Sequence, residues 1–108
     1  MKPEIKKWLA EQFAGDEDII AEVYGEYVNT SKAKLAELDA DYASGDWAKL
    51  DRTVHTLKGN ALMVGDTTVA DASIRLRELI KAGDTGAFPA QIAEIKRLSA
   101  PTVGGTAA

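Results

Sequence analysis

A chain of 108 residues, 45% hydrophobic and 28% charged, has the size and composition of one soluble domain with a single core. Thirteen Lys and Arg against seventeen Asp and Glu leave a net charge of -4, with no basic stretch denser than Lys32 to Lys34, so nucleic acid is a poor partner. The lack of cysteine excludes disulfides, thiolate metal sites and cysteine nucleophiles, and the lone His55 excludes multi-histidine metal centres.

The first residues, MKPEIKKWLAEQF, interrupt their apolar pattern with charge, which argues against a signal segment and predicts a short leading helix holding Ile5, Trp8, Leu9 and Phe13. No later run approaches the roughly 18 apolar residues of a membrane span, so a soluble, cytoplasmic protein without membrane contact is expected. Ile20, Tyr24, Tyr27, Leu35, Leu38 and Tyr42 step by three and four and predict a long helix from about Asp16 to Ala43, with Ser31 filling the missing step. The acidic groups at 16 to 18 and 39 to 41 read as solvated helix surface, the first group suiting the positive end of the helix.

Asp46 can cap a following helix that carries Trp47, Leu50, Val54, Leu57, Ala61 and Val64 inward before Gly65 stops it. The next helix, capped by Asp66 or Thr67, turns Val69, Ala72, Leu76 and Leu79 inward and ends in Lys81 near Gly83. Pro89 opens a last helix of about three turns with Ile92, Ile95 and Leu98 inward. Sustained two-residue alternation is absent, so the fold class is all-α: an antiparallel four-helix bundle over residues 1–98, with the short N-terminal helix capping it. Residues 99–108, small and polar with Pro101 and paired glycines, read as a flexible C-terminal tail. Such helices can bury one core among themselves, and a monomer is expected.

Chemistry concentrates in the run DRTVHTLKGNALMVG from Asp51 to Gly65. With Val54 and Leu57 facing the core, a rotation of about 100° per residue puts His55 on the flank of the helix, open to solvent or a partner. Lys58 and Gly59 follow three and four residues on and lie beside it. Glycine inside a helix costs roughly 1 kcal/mol relative to alanine. At Gly59 that loss either admits another molecule to the imidazole or allows a close helix crossing. Leu62, seven residues after His55, is either an exposed docking residue or covered by the leading helix. Asp51, one turn before His55, either forms a routine surface ion pair or orients the ring.

The segment His55-Thr56-Leu57-Lys58-Gly59 followed by Gly65 resembles the H-x-apolar-K-G-x5-G pattern of the histidine-containing phosphotransfer (HPt) domains of multistep phosphorelays. The run from Val69 to Leu79 resembles the next helix of that family, and with helix order included the likeness covers about residues 4 to 98. Arg77 stands where many members carry an acidic or amide residue. The resemblance implies a phosphocarrier in a two-component system, with His55 as phosphoacceptor between receiver-domain aspartates. Its partners are then the receiver domains of response regulators or of a hybrid sensor histidine kinase. It also implies no cofactor on this chain, because the receiver supplies the Mg²⁺ and most of the electrostatics. The residues agree with it: a neutral imidazole offers a ring nitrogen as nucleophile without a separate base, and Lys58 brings a mobile charge to a phosphoryl group there. No Walker or glycine-rich nucleotide loop is present, so autonomous use of ATP is not expected. The competing reading is a helical-bundle adaptor that binds a signalling partner without phosphorylation, His55 being incidental. An autonomous hydrolase or metal enzyme lacks an evident nucleophile, base partner or ligand set.

Overall fold

Capping chemistry sets most helix boundaries in the computed structural model, which describes residues 1–103. The elements are α1 (Pro3–Gln12), α2 (Glu17–Ser44), α3 (Trp47–Met63), α4 (Thr67–Ala82), a 3-10 turn (Thr85–Ala87) and α5 (Phe88–Val103), with no strand among the described residues. Pro3 opens α1, where a missing N–H removes no helical bond. The Asp46 carboxylate accepts from the Lys49 amide at 3.0 Å, so the expected cap of α3 forms, and Asp16, expected only to suit the positive end of α2, caps that helix by accepting from the Ile19 amide at 3.3 Å. α3 closes through three backbone bonds, Val64 and Asp66 donating to Ala61 and Gly65 to Leu62, with Gly65 at φ +73°. A Cβ at Gly65 would also come within 2.6 Å of the Trp8 side chain, so both the turn and the approach of α1 require glycine there.

α2 packs against α3 and α5, and α4 packs against the same two helices. Leu38, Leu50, Val54, Leu76, Phe88 and Ile95 form the centre of the larger core cluster and are essentially solvent-free. Each large apolar side chain so buried contributes about 1.5–3 kcal/mol, and this burial holds α3 in one rotational setting. A second cluster joins Ile5 and Leu9 of α1 to Tyr27, Ala61, Val64 and Val69, so the leading helix is bound through two fully buried side chains.

Several expectations change on folding. Tyr42, expected inward, is 38% exposed and stacks obliquely on Trp47, while Asp41 is the buried residue. Positions 41 and 42 both lie one turn beyond Leu38. The Thr53 hydroxyl on α3 favours the acid, donating to Asp41 at 2.6 Å, and Lys49 approaches the same carboxylate at 3.4 Å. Asp41 is therefore not solvated surface. Trp8 leaves much of its ring exposed over Gly65 and donates its indole N–H to the Met63 carbonyl. Residues 99–103, expected in a flexible tail, continue α5 through Pro101 to Val103. The reason is packing: Ser99 and Thr102 are small enough to turn inward, and both are buried. The remainder of that expected tail, 104–108, lies outside the described residues.

Candidate functional site

Val54 and Leu57 anchor α3 in the core, and the two residues between them, His55 and Thr56, are exposed. One turn on, a Cβ built at Gly59 meets nothing within 4 Å, so Gly59 is not a helix-crossing contact. Gly25 on α2 is equally open. Asn60 turns the other way, donating to the Ser31 hydroxyl at 3.3 Å and the Tyr27 carbonyl at 3.4 Å, and so ties α3 to α2 behind the histidine face. Ser31 fills the expected gap in the α2 stripe as a buried hydroxyl.

Lys58 is half-buried and has no carboxylate within ion-pair distance among the described residues. It lines an open groove between α3 and α4 with Trp47, Asp51, Ile74, Arg77 and Lys81. Leu62 is 49% exposed and borders a second groove with Glu4, Lys7 and Trp8, so α1 flanks this leucine without covering it. Met63 beside it is more exposed still.

Sequence reasoning did not place Arg77 in the site. Its guanidinium reaches across from α4 and donates from Nε to Asp51 Oδ1 at 3.0 Å and from Nη2 to Asp51 Oδ2 at 3.3 Å. Its remaining nitrogen, Nη1, lies 2.9 Å from His55 Nδ1. Asp51 thus touches the ring only through the arginine. The hydrogen bonds it donates to Asp51 raise the pKa of the Arg77 guanidinium above its ordinary value, so the group is a permanent cation at the imidazole. The available signal was its mismatch with the amide or acid expected at that position of α4.

A second polar cluster sits at the start of α4. Asp66 occupies the N-cap position as expected, but its buried carboxylate makes no cap bond and instead accepts from Lys2 at 2.9 Å, from Thr68 at 3.1 Å and from the Tyr27 hydroxyl. Burial pushes the Tyr27 phenol above its ordinary value, and the bond to Asp66 adds to the rise. These groups join the N-terminus, α2 and α4, and their work is structural.

No helix among the described residues is long and apolar enough to cross a membrane, and they hold no cluster of three or more His, Asp or Glu able to bind a metal ion. The family model for the Hpt domain matches residues 22–100, and the chain belongs to that family. Hpt domains serve histidine phosphotransfer in phosphorelays, as carriers rather than kinases, and interact with receiver domains and sensor kinases. The match leaves α1 outside its span. No curated protein and no solved structure gives a significant match.

Proposed function

We propose that His55 is the phosphoacceptor of this Hpt domain and passes its phosphoryl group between receiver-domain aspartates, presented by an antiparallel bundle of α2 to α5 that α1 caps. The observation that carries the reading is an exposed imidazole on α3, one turn from an open glycine and an unpaired lysine. A ring nitrogen attacks the phosphorus of an aspartyl phosphate, the N–P bond forms, and the P–O bond breaks to return a carboxylate. Lys58 adds positive charge beside the transferred group, on a long stem that need not hold it rigidly. Weak stabilisation suits a carrier that must both accept and release. Gly59 leaves room for the receiver, Leu62 extends the contact surface, and the receiver brings the Mg²⁺.

Incubation with a phosphorylated receiver tests this. Acid-labile label should appear on the wild-type chain and be absent from His55→Gln, whose helical circular dichroism should match the wild type, since glutamine keeps an exposed polar side chain without a nucleophilic ring nitrogen. Equal labelling of the variant places the acceptor elsewhere. No labelling of the wild type by any receiver favours an adaptor that works without phosphorylation.

A further inference from the structure

We propose that Arg77 is a positioning residue that restrains His55 in both directions: it holds the resting ring in the tautomer whose Nε2 cannot attack, and it slows departure of the phosphoryl group once bound. The inference rests on the phosphocarrier reading and on the 2.9 Å approach of Arg77 Nη1 to His55 Nδ1. A guanidinium has donors only and keeps its charge, so Nδ1 accepts this bond through its in-plane lone pair. The proton of the neutral ring then sits on Nε2, where the nitrogen electron pair belongs to the aromatic system and is not available to phosphorus. Asp51 grips the same guanidinium through two bonds, so the arginine is held from α3 while it caps the ring. The other charges near this face are Arg52 and Lys58 on α3 and Glu78 and Lys81 on α4. From α2, Asp41 is already engaged by Thr53 and Lys49.

Loading at Nε2 requires Arg77 to leave Nδ1. Solvent then takes the Nε2 proton and supplies one to Nδ1, the freed Nε2 lone pair bonds phosphorus, and the electrons of the acyl phosphate P–O bond return to the aspartate carboxylate. Release of the Nδ1 proton leaves an anionic phosphoryl group on a neutral ring, whose Nδ1 accepts from Arg77 again. Loss reverses the order. Nδ1 must be protonated before the N–P bond breaks, so that the electron pair departs with a neutral imidazole rather than an anionic ring, and phosphorus passes to a carboxylate or to water. Arg77 competes with that proton at each stage.

The single histidine makes the test direct. Phosphoramidate, a small P–N donor, loads the full chain without any receiver, and phosphorus NMR follows hydrolytic loss from mildly acidic to mildly alkaline pH. Arg77→Gln should speed loss at neutral pH by roughly two- to fivefold, the scale of one part-exposed charged contact, and carry the fast acidic branch to higher pH. Asp51→Asn, which keeps the guanidinium and frees its anchor, should fall between the two. Nitrogen NMR of the unloaded wild-type ring should find the proton on Nε2, with more Nδ1–H in Arg77→Gln. Equal loss rates in wild type and Arg77→Gln at every pH, or a resting wild-type ring protonated on Nδ1, overturn the role of Arg77. Failure of phosphorylated receivers to label the wild type overturns the carrier reading instead, and the rates of the chemically loaded chain still decide Arg77.

Discussion

Gly59 separates access from packing at the scale of one residue. Its Cβ position is open, so Gly59→Ala should stabilise α3 by up to about 1 kcal/mol, the difference in helix propensity, while transfer continues. Gly59→Gln should keep the fold and obstruct the receiver, cutting transfer far more than alanine does. Thermal melts and receiver-to-His55 transfer rates on the two variants check this, and a fall in melting temperature that tracks the loss of transfer refutes the access role. Lys58 is the neighbouring case. Lys58→Ala should slow transfer without abolishing it, most at low salt, because a part-exposed ammonium acts through a screened field. Rates unchanged at low and high salt return Lys58 to ordinary surface. Both residues were legible from the helical spacing around His55. Arg77 was not, because it lies 22 residues away in sequence and meets the ring only when α4 packs on α3.

At the scale of an element, the stop after α3 does two jobs at one residue. Gly65 takes a left-handed conformation to end the helix and leaves its α-carbon bare for the Trp8 ring. Gly65→Ala should therefore cost about 1–3 kcal/mol, by strain at positive φ and by displacement of Trp8. Denaturant melts measure the loss, and a shift in indole fluorescence should report Trp8 moving; stability within error of the wild type removes the claim. The stop itself was readable as a glycine after an apolar stripe, whereas the second constraint depends on where α1 lands. The end of α5 shows the converse. Ser99, Pro101 and Thr102 have the composition of a tail, yet the helix continues because the small polar residues at 99 and 102 fit against its neighbours.

Across the whole molecule, the buried Asp66 carboxylate joins the N-terminus to the bundle through Lys2 and to α2 through Tyr27. Tyr27→Phe should cost about 1–2 kcal/mol, since Asp66 loses a donor while remaining buried. The same residue sets an alkaline dependence. The folded phenol titrates above the unfolded value of 10.0, so its contribution is fully present below that pH and is lost as pH rises through it toward the folded value. Tyr27→Phe should flatten this alkaline limb, measured as unfolding free energy against pH, whereas an identical slope in the variant assigns the limb to other groups.

Local periodicity and capping signals were enough to specify an all-helical chain, the order of its helices, the aspartate cap of α3, and the exposure of His55 between Val54 and Leu57. These features follow from spacings of three and four residues and from side chains acting on their own backbone, so they need no knowledge of a neighbour. Tertiary packing decided what the spacing left degenerate: Asp41 over Tyr42 as the buried residue, Asp66 as an anchor for Lys2 and Tyr27 rather than a cap, and Asp51 as a holder of Arg77 rather than of the ring. In the first case two side chains had similar claims by position on their own helix, and in the other two one carboxylate had more than one available partner. Polar partners brought in from elsewhere in the fold settled the outcome, because burying a polar group costs least where it finds hydrogen-bond partners.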